Sequence, residues 1–253
     1  EKFFALTENA LLFIARSLQE LNNEKNEILG IVAHDLKNPI SAVRGLADLI
    51  QTGFIEGDKT QEIAAQIAQT GDRMLELVKN LLDVNRLEQG AVEFHIIAFN
   101  VAPFVENSVW QQMAAAEAKK IRLTFEFEAA EPMILADEQA VMQILDNLIS
   151  NAVKYSPHGK SVVARIRETP QTVRIEVQDE GPGITPEDMP KLFGKFVRLS
   201  ARPTGGEHST GLGLSIVKKL VETMNGRVWC ESKHGEGATF IVEFPRYTTG
   251  GEE

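Results

Sequence analysis

The chain has 253 residues, enough for two domains with separate cores, and its 43% apolar and 25% charged residues are those of an ordinary soluble globular protein. Its net charge of −10 is spread evenly, 9 basic against 14 acidic side chains in residues 1–90 and 17 against 22 in residues 91–253. No basic patch points to nucleic acid or an anionic membrane; Cys230, the only cysteine, excludes a disulfide framework; and no apolar run reaches the ~18 residues of a membrane span.

The first predicted element is a helix from near the start to about Gln51. Leu11, Ile14, Leu18, Leu21, Lys25, Ile28 and Val32 recur at alternating spacings of three and four, the seam of a coiled coil. Residues 1–27 are therefore expected to form a coiled-coil helix that continues from a missing upstream region, and with no membrane run or signal-peptide pattern the chain is expected to be cytoplasmic or the cytosolic part of something longer. In that register His34 lies off the seam and faces outward. Asp35 follows it, and Asn38 is one turn on along the same face. A carboxylate that takes the ring Nδ1 proton leaves Nε2 free as a nucleophile. Pro39 removes an N–H and crowds the carbonyl of Asp35, which predicts a bend just past the histidine. The stretch Gly53-Phe-Ile-Glu-Gly57-Asp58 reads as a turn, with Asp58 or Thr60 as cap. A second helix carries Ile63, Ile67, Thr70, Met74, Leu77, Leu81 and Val84 and stops near Gly90. Such a hairpin leaves Ile31, Val43 and Ile50 wet, so two copies are expected to pair as a four-helix bundle.

After Gly90 the periodicity changes. Strands are predicted at Val92–Phe99, Ile121–Glu128 and Met133–Leu135, and helices at Ala102–Ala118 and, capped by Asp137, up to Tyr155. Ser161–Glu168 and Thr172–Asp179 pair as a hairpin. Residues 186–196 are irregular, residues 199–209 form a glycine-bearing loop, Leu212–Met224 is a helix, and Arg227–Lys233 pairs with Ala238–Phe244. This order implies an α/β sandwich over residues 91–246, with one mostly antiparallel sheet, helices on one of its faces, and a disordered tail from Tyr247.

Three stretches of the second domain carry chemistry. Asn147, Asn151 and Lys154 share one stripe of a helix; amide oxygens suit Mg²⁺ and the lysine suits phosphate. Asp179-Glu-Gly181-Pro-Gly183 ends a strand, where the carboxylate can accept from an exocyclic amine such as adenine's while the glycines let a flat ligand approach. Thr210-Gly211-Leu212-Gly213-Leu214-Ser215 opens a helix and exposes N–H groups to an anion, and Gly205-Gly206 before it suits a lid.

Five stretches in order resemble the boxes of two-component sensor histidine kinases: His34-Asp-Leu-Lys-Asn-Pro39, Asn147-Leu-Ile-Ser-Asn151-Ala-Val-Lys154-Tyr155-Ser156, Asp179-Glu-Gly-Pro-Gly183, Lys191-Leu-Phe-Gly-Lys-Phe196 and Gly211-Leu-Gly-Leu214. The resemblance implies a dimerisation and histidine-phosphotransfer hairpin at residues 28–90 and a Bergerat-type ATP-binding domain at 91–246. It implies His34 as phospho-acceptor and Asp35 as its base. Asn147 and Asn151 would lie at Mg²⁺ and the phosphates, Asp179 at the adenine amine, Tyr155 beside the base, and Gly211 and Gly213 beneath the phosphates. Lys154, Gly181, Gly183, Leu212 and Leu214 belong to the same boxes. Lys195 stands where the family usually has an arginine, so the role of its charge is open. The partners implied are a second copy of the chain and the receiver domain of a response regulator, and Asn38 is expected to orient water for that regulator's dephosphorylation. The rival readings are a gyrase- or chaperone-like ATPase and a non-catalytic nucleotide-binding scaffold.

Overall fold

The computed structural model describes residues 2–53, 57–127, 131–197, 199–205, 207 and 209–248. It divides into two compact units, residues 1–79 and 80–253.

The first unit is helical. Helix α1 runs Lys2–Gln51 and continues through Pro39 as one element. It ends where Thr52 turns its N–H and hydroxyl onto the carbonyl of Asp48, at 2.9 and 2.8 Å, and Gly53 takes φ 66°, a conformation that favours glycine. Helix α2 runs Asp58–Glu88, entered through Gly57 at φ 71°. The expected turn includes residues 54–56, which lie outside the described residues, as do the side chains of Leu11, Leu18, Leu21, Lys25 and Ile28 on the expected seam. Among the described side chains of this unit, Val32 and Ile63 are buried, whereas Ile14, Ile40, Leu49, Leu75 and Val78 are exposed. No helix among the described residues is long and apolar enough to cross a membrane.

The unit boundary falls inside α2, eleven residues before the expected one. Its cause is packing: Leu87 is buried in the core of the second unit, Val84 packs against that core, and Asp83 accepts a 2.8 Å hydrogen bond from Gln143. The last turns of α2 thus belong to the α/β unit.

That unit continues with β1 (Ile97–Asn100), α3 (Ala102–Ala118), β2 (Arg122–Phe127), β3 (Met133–Ala136), α4 (Glu138–Tyr155), β4 (Ser161–Glu168) and β5 (Thr172–Asp179). A short 3₁₀ turn at Met189–Lys191 precedes α5 (Gly213–Thr223), β6 (Arg227–Ser232) and β7 (Ala238–Pro245). Five strands form one sheet in the order β2-β4-β5-β7-β6, antiparallel except for the parallel pair β2–β4. The expected single sheet is corrected here, because β1 and β3 pair with each other in a separate two-stranded sheet. The expected strand Val92–Phe99 also shortens to Ile97–Asn100. Ahead of it the N–H of His95 turns to Oδ2 of Asp137 at 2.7 Å, so the apolar alternation of residues 92–96 serves a loop.

Alternation sorts the faces of the large sheet. Val162, Ala164 and Ile166 of β4 and Val173, Ile175 and Val177 of β5 are buried in one core with Ile144, Leu145, Leu148 and Ile149 of α4 and Ile216 and Val217 of α5. The opposite face carries cross-strand pairs: Arg165 with Glu126 and Gln178, Arg167 with Glu176, and Arg174 with Glu243. Arg167 and Arg174 sit directly opposite each other, and the two glutamates offset that repulsion. Tyr247, where a disordered tail is expected to begin, donates its N–H to Met133 at 2.8 Å; residues 249–253 lie outside the described residues.

Asp137 secures the helix that matters most for the site. Its Oδ1 accepts the N–H of Ala140 at 2.9 Å as N-cap of α4 while Oδ2 holds His95. Asp137→Ala is expected to cost about 1–2 kcal/mol, and Asp137→Asn much less. Urea unfolding followed by tryptophan fluorescence reads this unit selectively, since Trp110 and Trp229 are the only tryptophans. An unchanged midpoint in the alanine variant would remove Asp137 from the account.

Candidate functional site

The candidate residues fall into two groups, one in each unit. In the first, His34 stands on α1 with 68% of its side chain exposed. Its Nδ1 lies 3.4 Å from Oδ1 of Asp35, whose side chain is 10% exposed. The contact is long for a hydrogen bond but points the Nδ1 edge at the carboxylate, leaving Nε2 as the open nitrogen. Asn38 is exposed one turn further along α1.

In the second unit, the side chains expected at a nucleotide gather around α4. Asp179 ends β5 with 5% exposure, and its Oδ1 accepts the N–H groups of Gly181 at 2.8 Å and Ala238 at 3.2 Å. Both bonds converge on one oxygen, so Oδ2 is the oxygen left for a ligand. Burial pushes the Asp179 carboxyl up to about 6, against the opposing pull of those two N–H groups. A Cβ on Gly181 would stand 2.8 Å from this carboxylate and 3.0 Å from the carbonyl of Tyr155, so the turn closes directly on the end of α4.

Gly183 has a different reason from the one the sequence suggests. At φ 68°, a Cβ there would meet the carbonyl of Lys233 at 2.3 Å, so the close approach is to the β6–β7 hairpin rather than to a ligand. Pro182 accepts from Gly235 at 2.7 Å and Ile184 donates to Ser232 at 2.9 Å, which seats the whole turn on that hairpin. Gly237 (φ 85°) leaves room for the carbonyl of Asp179, 2.1 Å from where its Cβ would stand. The hairpin expected from Arg227–Lys233 and Ala238–Phe244 therefore also holds the buried carboxylate, a role not foreseen from the sequence. The signal is positional, since Ala238 is the register partner of Asp179.

Asn147 donates through Nδ2 to the carbonyl of Gln143 at 2.8 Å, which leaves its Oδ1 open, pressed to 2.5 Å from where a Cβ of Gly213 would be. Asn151, Lys154 and Tyr155 follow on α4, all half-buried. Gly211, at φ 70°, closes on Phe196 and Val197, whose backbone lies 2.8–3.0 Å from its would-be Cβ. Leu212 is fully buried as the N-cap residue of α5 and Leu214 packs against the core, so these two supply shape and no polar contact. Leu212 makes no side-chain cap bond, so the first N–H groups of α5 remain open to an anion. Lys195 forms an ion pair with Glu88 at the end of α2, beside a groove of about 180 Å³ that also meets Phe193 and Ser215. Gly206, part of the expected lid, lies outside the described residues. Burial pushes the Cys230 thiol up to about 12, away from the thiolate form. Among the described residues no cluster of three or more His, Cys, Asp or Glu could hold a metal ion.

A mixed sheet backed by three helices, with an open helix N-terminus facing an asparagine-bearing helix, defines a nucleotide-binding ATPase fold downstream of a helical hairpin. The family model described as "Histidine kinase-, DNA gyrase B-, and HSP90-like ATPase" matches residues 136–248, and the "His Kinase A (phospho-acceptor) domain" matches residues 24–90, which include His34. An uncharacterized sensor-like histidine kinase of Rhizobium meliloti (strain 1021) is 32% identical over 242 residues, covering 94% of this chain and 46% of that protein. Full-length ShkA, crystallised in complex with AMPPNP, matches with 28% identity and a TM-score of 0.67 over 88% of this chain and 46% of its own. The histidine kinase ThkA, in complex with the response regulator protein TrrA, shares the fold at a TM-score of 0.70 and 23% identity, covering 87% of this chain and 61% of that one. The chain belongs to the two-component sensor histidine kinases, of which it is the catalytic core. It spans about half the length of the curated relative it matches.

The buried carboxylate gives a sign-definite pH effect. Asp179 is held in the fold near 6 instead of 3.8, so its ionised form is disfavoured there. Its contribution to stability is fully present below pH 3.8 and is lost as pH rises through about 6. Asp179→Asn is expected to flatten that decline by on the order of 2–3 kcal/mol. Urea unfolding at pH 4.5 and 7.5, read by tryptophan fluorescence, measures it; parallel pH slopes in the two proteins would contradict the assignment.

Proposed function

We propose that the chain autophosphorylates His34 from Mg-ATP, passes the phosphoryl group to an aspartate of a response regulator's receiver domain, and dephosphorylates that same regulator. The observation that carries this reading is the pairing of an open histidine Nε2, with its Nδ1 edge on Asp35, and a separate ATPase-type domain with a buried carboxylate that has one oxygen bonded to two N–H groups.

Asp35 holds the ring proton on Nδ1 by facing that edge, and so keeps the lone pair on Nε2. Nε2 attacks the γ-phosphorus, the bond to the β,γ-bridging oxygen breaks, and ADP leaves. The proton on the resulting ring passes from Nδ1 to Asp35. In the second step a receiver carboxylate attacks the phosphorus, the bond from Nε2 to phosphorus breaks, and the proton returns from Asp35 to Nδ1, so that His34 leaves neutral. Within the α/β domain, Oδ2 of Asp179 accepts the adenine amine, Tyr155 flanks the base, and the glycines of the Gly181–Gly183 turn let that turn close on Asp179 and the β6–β7 hairpin and so hold the carboxylate in place. Lys154 and the open N–H groups of Gly213 and Leu214 receive the phosphates. The metal fits amide ligands here, Oδ1 of Asn147 being left open by its own hydrogen bond and Asn151 lying one turn on, and it would neutralise phosphate charge. Lys195, engaged with Glu88, is assigned to seating the end of α2 rather than to the nucleotide.

Homodimerisation follows from the hairpin's surface. With Ile40, Leu49, Leu75 and Val78 exposed and Val32 and Ile63 buried, a second copy is the natural cover, packed as a four-helix bundle.

Incubation with Mg-ATP followed by mapping of the modified residue tests the first step. His34→Gln is expected to abolish acid-labile phosphorylation while ATP affinity stays within about twofold, because the two sites lie on separate domains. Phosphate on another residue, or an equal loss of ATP affinity, contradicts the proposal. Asn38 supplies the phosphatase half: its carboxamide, exposed one turn from His34, can orient water by donor and acceptor. Asn38→Ala is expected to spare autophosphorylation and to slow loss of phosphate from a purified phospho-regulator by about tenfold or more. Equal dephosphorylation rates with parent and variant end the phosphatase claim.

A further inference from the structure

Lys119 is a buried ammonium outside every box named above. It is the residue after the last turn of α3, 6% exposed, and the chain leaves it through Lys120 at φ 54°. An ammonium has three N–H donors, and here each finds an acceptor: the carbonyls of Val153 at 2.8 Å and Lys154 at 2.9 Å, and Oε1 of Glu207 at 3.1 Å. The two carbonyls belong to the last turn of α4, where a cation also opposes the negative end of the helix dipole. Glu207 comes from the glycine-bearing loop, 88 residues away in sequence.

That loop is tied to α4 a second time. Thr204 donates its N–H to the carbonyl of Lys154 at 3.0 Å and its hydroxyl to that of Ser156 at 2.6 Å. Glu207 in turn receives the N–H of Gly205 on Oε2 at 2.7 Å, so its carboxylate spans the fixed ammonium and the loop's own backbone. Burial alone would raise the Glu207 carboxyl, but hydrogen bonds from its own N–H, from Lys119 and from Gly205, with the charge of Lys119, hold it below its ordinary value. The carboxylate is therefore ionised across the neutral range and always available to the lysine. On one side of this knot lie Asn151, Lys154 and Tyr155 of α4; on the other the loop runs into Gly211 and the open N-terminus of α5.

We propose that Lys119 and Glu207 are positioning residues that latch the loop to the end of α4 and so set the width of the nucleotide site, an inference that rests on the ATP-binding reading of that site. Neither residue touches the reacting atoms. Cutting the latch frees the loop from α4, loosens nucleotide binding, and leaves the attack by His34 intact once nucleotide is bound.

The test uses the whole chain with Glu207→Gln, Glu207→Asp and Lys119→Met. Glu207 is part-exposed, so its variants fold even if the lysine variant does not. Glu207→Gln is expected to raise the KM for ATP about five- to tenfold, a charge-assisted bond discounted for partial exposure. The kcat for autophosphorylation should stay within about twofold, and Glu207→Asp should recover much of the KM. Proteinase K nicking within residues 199–211, without nucleotide, should quicken in the glutamine variant. Unchanged KM and unchanged nicking overturn the latch, as does a loss confined to kcat. A parent that fails to autophosphorylate refutes the kinase reading instead, and the nicking comparison then decides the latch by itself.

Discussion

The carboxylate of Asp179 is the constraint to which the rest of the α/β unit answers. A 5%-exposed acid at the end of a strand is costly unless its charge is met by donors. The donors come from two directions, the turn that follows it and the first residue of β7. Three glycines are then obligatory for reasons of space: Gly181 against Tyr155, Gly183 against Lys233, and Gly237 against the carbonyl of Asp179 itself. Two of the three also take positive φ. Strand β5, the β6–β7 hairpin and the end of α4 are thereby fixed around one oxygen, with the other left facing the place where the adenine amine belongs under the proposed function.

Much of this was legible from residue spacing. Helix α3, the hairpin β4–β5 and the cap at Asp137 stand where periodicity and turn chemistry put them, because each is decided by contacts within a few residues. Sequence reasoning went astray where the deciding partner is distant. The apolar alternation of Val92 to Ile96 reads as a strand, yet His95 bonds to Asp137, 42 residues on. The last turns of α2 show the same dependence, because Leu87 packs in the core of the next unit and Asp83 bonds to Gln143, 60 residues on. The parallel pairing of β2 with β4 has no local signature, since a residue pattern of period two is the same in either direction.

The candidate site divides along the same line. Asn147, Asn151, Lys154 and Asp179 announced themselves because polar residues at helical spacing among apolar ones, or an acid before two glycines, are expensive without a purpose. Lys119 and Glu207 did not, since a lysine after an alanine-rich helix and a glutamate in a polar loop are what any surface offers. Only their burial and mutual distance set them apart. Lys195 lies between these cases: its box was recognisable, and its partner Glu88 was not.

Phosphoryl transfer from ATP to a histidine asks opposite things of its two halves, and under the proposed function the chain supplies both. The nucleophile must be reachable, which an exposed helix position with one flanking carboxylate provides. The nucleotide half must strip water from a base and hold four phosphate charges, which demands buried acceptors and open N–H groups that would be unstable on an exposed hairpin. A single rigid core cannot easily meet both demands, because the burial that sharpens Asp179 would also seal a histidine placed beside it. Separate units remove the conflict: one is stabilised by a deep apolar core around its polar site, and the other keeps its reactive side chain on a helix with little around it to bury.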